Sequence, residues 1–170
     1  IRSNLGLLRA ARERRPDAWI VYKPHPDVLA GKRPDSTTSE DLRRCCDEMV
    51  TDVPIHALFE QVDELHVLTS LAGFEALLRG RAVVCHGSPF YAGWGLTQDE
   101  QTPPVRRANG RRMVRDELVH AALVDYTRWV DPETGARCEP ERVIGWMGLQ
   151  RRQRERLAPR IQVVGLSNWK

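Results

Sequence analysis

Residues 69–96 read TSLAGFEALLRGRAVVCHGSPFYAGWGL, and the fold is decided there. Leu71, Phe74, Leu77 and Leu78 fall on one helical arc, and Gly80 stands in the position where helices commonly end. The residues on either side, Asp63–Thr69 (DELHVLT) and Arg81–His86 (RAVVCH), are short apolar runs of strand character. Strand, helix and strand within about two dozen residues make a βαβ unit, with a right-handed crossover and therefore parallel strands. Thr69 and Ser70 close the first strand and open the helix, whose unbonded N–H groups and positive dipole end suit a phosphate.

A second element of the same kind lies upstream. Ala18–Lys23 (AWIVYK) is β-rich and mostly apolar, as a strand covered on both faces would be, and it runs directly into Pro24-His25-Pro26-Asp27. Two apolar strands that each end in phosphate-competent residues describe a nucleotide crevice at the carboxyl ends of a parallel sheet. Around them the pattern predicts a helix over Leu5–Arg14 capped by Asn4, and another over Glu40–Asp47 capped by Ser39. It also predicts a very short strand at Met49–Val50 and a short helix from Pro54 to Gln61. Gly87–Pro104 reads as an aromatic, glycine-bearing loop, Val114–Val130 and Pro140–Leu157 as amphipathic helices, and Ile161–Val164 as a strand. The expected fold is a three-layer, Rossmann-like α/β domain over residues 1–158, with 159–170 beginning a following module or forming an interdomain segment.

The bulk numbers agree. With 41% hydrophobic and 29% charged residues, the 170-residue chain can bury one core, and long disorder is excluded. A net charge of +3 is too small to argue for nucleic acid. The arginines are nevertheless clustered, at positions 106, 107, 111, 112 and 115 and again at 151, 152, 154, 156 and 160. Such clusters suit an anionic small molecule or a lipid surface, or form a solvated basic face. No apolar run is long enough for a membrane span, and no export signal opens the chain. Cys45, Cys46, Cys85 and Cys138 lack zinc-ligand spacing and read as reduced cytosolic thiols; no metal site is expected. The absence of an initiating Met suggests a piece cut from a longer polypeptide.

The site candidates each carry two readings. His25, aimed by the prolines on either side, can meet a phosphate as donor or cation, or can simply pack in a loop. Lys23 adds charge to the same anion or is a solvated edge lysine. Thr69, Ser70 and Gly73 suit phosphate binding, and plain N-capping is compatible with it. Glu75, one turn into the helix, can accept hydrogen bonds from ribose hydroxyls or interact with the helix dipole. Phe90, Tyr91 and Trp94, interleaved with Gly93 and Gly95, can cover a base or sugar ring or plug the edge of the core. Asp52, Asp63, Asp99 and Asp116 are scattered, so no nucleophile or general base is assigned.

Three blocks carry a family resemblance: Tyr22-Lys23-Pro24-His25-Pro26-Asp27-Val28 with Gly31-Lys32, Thr69 through Gly80, and Pro89 through Thr97. Together with Asp131-Pro132-Glu133-Thr134-Gly135 they resemble the bacterial capsular-polysaccharide β-Kdo transferases of the KpsC type. The resemblance implies the C-terminal, donor-binding half of a GT-B-like module that uses CMP-Kdo to build a lipid-linked Kdo linker for capsule export. It implies no cofactor beyond that donor, a cytoplasmic location peripheral to the inner membrane, and tandem transferase modules. His25 and Pro26 would correspond to the His-Pro motif of CMP-sugar transferases, with His25 steadying the leaving phosphate. Ser70 would correspond to the second phosphate-binding motif, while Glu75, Tyr91 and Trp94 belong to the family signature. Such enzymes are retaining, with a carboxylate nucleophile from an N-terminal Rossmann half, so this fragment is expected to be inactive alone. His86 and Asn109-Gly110 depart from the family pattern. The other reading of the same crevice is a non-catalytic nucleotide- or polysaccharide-binding module.

Overall fold

The computed structural model describes residues 1, 3–25, 28, 38–102, 104 and 110–157. Their helices are α1 (Asn4–Arg14), α2 (Ser39–Cys45), α3 (Ile55–Leu58), α4 (Leu71–Leu78), α5 (Arg115–Val119) and α6 (Pro140–Leu157). The strands are β1 (Val21–Tyr22), β2 (Glu48–Met49), β3 (Glu64–Val67), β4 (Ala82–Cys85) and β5 (Gln98–Asp99). The chain is α/β with parallel strands: β3 pairs with β4, Glu64 opposite Ala82 through Val67 opposite Cys85, and α4 crosses between them.

The strands form two hydrogen-bonded sheets, β1-β2 and β3-β4-β5, where a single sheet was expected. β1 is shorter than Ala18–Lys23 because side chains take the backbone groups at its start. The Arg12 guanidinium donates to the Ala18 carbonyl at 2.8 Å, and the Asp47 carboxylate accepts from the Ile20 N–H at 2.7 Å. Pro24 has no N–H with which to continue at the other end. β5 lies inside the segment expected as loop; two residues carry no period-two pattern to read. It is held beside β4 by the pairing of Val84 with Gln98 and Cys85 with Asp99, then by Glu100 N–H donating to the Cys85 carbonyl at 2.9 Å.

Local chemistry moves several boundaries. Ser3, not Asn4, caps α1 by accepting from Gly6 N–H at 3.1 Å. Thr38, not Ser39, caps α2 in a reciprocal capping box with Asp41. α3 stops at Leu58, short of Gln61. The expected Val114–Val130 helix changes to π winding over His120–Tyr126 and ends there. Thr127 Oγ1 donates to the Ala122 carbonyl at 2.8 Å and Trp129 Nε1 to that of Leu123, which closes carbonyls the helix leaves open. Ile161–Val164 and the 159–170 segment lie outside the described residues.

The chain divides into two compact units, Ile1–Leu118 and Val119–Lys170. In the first, Phe59, Val67, Phe74, Ala76, Leu77, Val83, Val84, Cys85 and Tyr91 are buried, and α4 packs on β3 and β4. Each large side chain so buried contributes about 1.5–3 kcal/mol. α1 packs on α2 through Leu8, Cys45 and Cys46, with Leu5, Ile20, Tyr22 and Leu42 around them, and also touches β3. In the second unit a tight turn is organised by Asp131, whose carboxylate accepts from Arg142 Nε at 2.8 Å and from Glu133 N–H at 2.8 Å. Those bonds hold the Asp131 carboxyl below the usual carboxylate range, the Arg142 guanidinium contributing most. Among the described residues no helix is long and apolar enough to cross a membrane.

Candidate functional site

The candidate residues lie on the segments at the carboxyl ends of β1 and β3, strands that belong to separate sheets. After β1, Lys23 donates from Nζ to the Thr51 carbonyl at 2.7 Å, so its ammonium is tied to the segment beyond β2. Pro24 is buried and His25 is exposed, its carbonyl accepting from Val28 N–H at 2.9 Å in a turn. Pro26, Asp27, Gly31 and Lys32 lie outside the described residues, as do Arg106 and Arg107.

After β3, Thr69 and Ser70 are both exposed. Ser70 has extended backbone angles and its Oγ accepts from Ala72 N–H at 3.2 Å, so it is the N-cap of α4. The helix start is fixed from beneath by Tyr91. That ring is fully buried, and its hydroxyl donates to the Ser70 carbonyl. Burial, and secondarily Cys85, pushes the Tyr91 hydroxyl well above its ordinary value, so it stays a donor. Gly73 is what lets the ring in: a Cβ there would stand 2.7 Å from Tyr91 Cζ. Glu75 is half-buried in the next turn, and its carbonyl accepts from Arg79 Nη1 at 3.0 Å.

The aromatic segment is therefore divided in its roles. Tyr91 faces the interior, so in this structure it supports the helix start and presents no ring to a ligand. Phe90 is the exposed ring, at 48%, packed against Phe74 with centroids 5.1 Å apart and set edge-on to Tyr91 at 5.2 Å. Trp94 is half-buried and donates from Nε1 to the Phe90 carbonyl at 2.8 Å, fixing the backbone under that ring. Asp99, read in the sequence only as one of several scattered acids, anchors the loop: it accepts from Gly93 N–H at 2.8 Å and from Thr97 Oγ1 at 2.7 Å.

Chemically, the β3 end offers backbone N–H groups, the Ser70 hydroxyl and the positive end of α4, and the β1 end offers an imidazole. Among the described residues no group of three His, Cys, Asp or Glu could hold a metal ion. Sequence reasoning missed Glu64 and His66, which with His86 form a largely buried polar line on the sheet, and the exposed Arg15 that pairs with Glu64. The alternation of Glu64 and His66 was the available signal for a shared face.

Known proteins resemble this chain in sequence, and solved structures resemble it in fold. A family model described as "Capsule polysaccharide biosynthesis protein" matches residues 2–129. The capsule polysaccharide modification protein LipA of Neisseria meningitidis serogroup B is 48% identical over 131 residues, which are 77% of this chain and 18% of LipA. The lipopolysaccharide-processing protein LpsZ of Rhizobium meliloti is 37% identical over 149 residues, 88% of this chain and 33% of that one. Among solved structures, the β-Kdo 2,7 transferase of Thermosulfurimonas dismutans KpsC superposes with a TM-score of 0.77 at 42% identity, covering 89% of this chain and 47% of that one. The β-Kdo 2,4 transferase of the same KpsC gives 0.69 at 33% identity, covering 84% and 43%. The chain thus spans less than half the length of each of these relatives and solved neighbours.

Proposed function

The chain belongs to the capsule polysaccharide biosynthesis protein family, and from that premise we propose that it is the donor-binding part of a β-Kdo glycosyltransferase with CMP-Kdo as donor. The observation that carries the reading is the capped start of α4 directly after a parallel strand, in a chain 42% identical to a solved β-Kdo 2,7 transferase. On this reading the donor phosphate sits between His25 and Ser70. When the bond from the sugar's anomeric carbon to the phosphate oxygen breaks, its electron pair goes to that oxygen and CMP leaves with one more negative charge. His25, the α4 N–H groups and the Ser70 hydroxyl meet that charge where it develops. Lys23, Pro26, Thr69, Gly73 and Glu75 complete the donor pocket, and Trp94 holds its aromatic rim.

A retaining transfer requires a second displacement and a carboxylate nucleophile, which this reading assigns to an N-terminal Rossmann half. The acceptor is a lipid-linked Kdo saccharide, met at the cytoplasmic surface of the inner membrane. The nucleotide sugar brings its own leaving group, so no further cofactor enters.

Calorimetric titration with CMP tests the site. His25→Ala and Ser70→Ala should each weaken binding about tenfold, the loss of one charge-assisted hydrogen bond. His25→Ala should leave the melting temperature nearly unchanged, and Ser70→Ala should lower stability only by the about 1 kcal/mol that a lost N-cap costs. Unchanged affinity together with lowered melting would assign both residues to structure alone.

A further inference from the structure

The three-stranded sheet carries a largely buried line of polar groups, Glu64, His66 and His86, that the proposed donor site does not use. Arg15, just past α1, holds Glu64 with two hydrogen bonds, Nε to Oε1 at 3.2 Å and Nη2 to Oε2 at 2.9 Å. Glu64 Oε1 lies 2.8 Å from His66 Nε2, and His66 Nδ1 lies 2.9 Å from His86 Nε2. The side chains of Glu64 and His66 are only 14% and 13% exposed, and His86 is 3% exposed. The two imidazoles are stacked with centroids 5.2 Å apart. His86 directly follows β4 and is fixed by its own N–H to the Val67 carbonyl at 2.8 Å and by Gln101 Nε2 to its carbonyl at 2.8 Å.

Proton counting restricts what this line can do. A carboxylate only accepts, so His66 Nε2 carries a proton towards Glu64. While His66 is neutral its Nδ1 can only accept, and His86 must donate from Nε2. One added proton can be taken on with both bridges kept. A second cannot, because N–H would then face N–H between the rings.

We infer that Glu64, His66 and His86 form a proton-gated clasp between β3 and the end of β4, tied to the end of α1 by Arg15; the clasp keeps both histidine bridges with at most one added proton on the pair and loses the His66–His86 bridge on the second. Burial opposes an added proton on His86 most, followed by His66; of the other charged groups facing it, Glu100 beyond β5 favours the proton, and Arg14 and the amino terminus oppose it. Arg14 is itself paired with Glu100 and bonded to Gln98, so α1 reaches both β3 and the β5 edge.

The test uses the full 170-residue chain without ligand. Long-range proton–nitrogen spectra of the imidazoles should show the Nε2–H tautomer for both rings at pH 8, then coupled uptake in two separated steps on acidification. In urea unfolding, the unfolded-to-folded ratio of the wild type should rise between pH 7 and 5 about tenfold more than that of His86→Gln, because burial holds the folded His86 imidazole below its ordinary value. The glutamine amide keeps a donor towards His66 but does not titrate. Independent, uncoupled titration of the two rings, or the same acid slope in both proteins, overturns the clasp. If His86→Gln does not fold, the wild-type spectra decide alone. Coupled titration in a protein with no CMP affinity at pH 8 would sink the donor reading and support the clasp by itself.

Discussion

Gly73 and Tyr91 define one another at the level of single residues. The ring occupies the space where a side chain at position 73 would begin, and it delivers its hydroxyl to the carbonyl of the helix cap. Helix propensity alone favours Ala over Gly by about 1 kcal/mol. At position 73 the clash outweighs it, because the ring is fully buried and tightly surrounded and overpacking of this kind costs about 1–3 kcal/mol. Gly73→Ala should therefore lower the stability measured by urea unfolding, and a neutral or stabilising effect would show that the ring has another place to go. Cys85, behind the same ring, is pushed up to about 12, first by burial and then by Asp99, which makes it an inert core thiol.

At the scale of elements, carboxylates add to the apolar packing that holds α1 in place. Asp47 joins the Arg12 guanidinium at 2.6 Å to the Ile20 N–H, Asp41 pairs with Arg9 at 3.2 Å, and Glu64 with Arg15 at 2.9 Å. All three carboxyls are held below their ordinary values: Asp47 first by the Ile20 N–H, Asp41 first by the Thr38 hydroxyl, Glu64 first by Arg15. Groups lowered in this way bind fewer protons folded than unfolded. Their stabilisation is complete above the ordinary values of 3.8 and 4.5 and drains as pH falls through the folded ones. The urea midpoint should accordingly fall steeply on acidification below about pH 4. Asp47→Asn should flatten that limb, and an unaltered limb would mean that these ties contribute nothing measurable.

These bonds also explain what could be read beforehand. α4 and α6 were legible because their apolar arcs, and Gly80 after α4, are local signals. The shortening of β1 was not, since it depends on Asp47 reaching back to Ile20 across 27 residues. The strand tips stood out because polar residues come directly after apolar runs. The histidine line did not, because His66 and His86 meet only once β3 and β4 are paired in register. Tyr91 was legible as an aromatic near the site, while its inward direction depends on the absence of a side chain at Gly73, far back in the chain.

At the scale of the whole molecule, the chain covers 47% of a solved β-Kdo 2,7 transferase, and the proposed nucleophile is assigned to the part not covered. Incubated with CMP-Kdo and a lipid-linked Kdo acceptor, the chain should give no detectable transfer by chromatography while still binding CMP. Robust transfer would place the nucleophile within these residues and overturn the division of labour proposed above. The interlock beneath α4 has a consequence on a longer timescale. Across a lineage of such chains, the aromatic residue must shrink before the glycine can be replaced, so neutral drift at these two positions has a preferred order and a one-step path is closed.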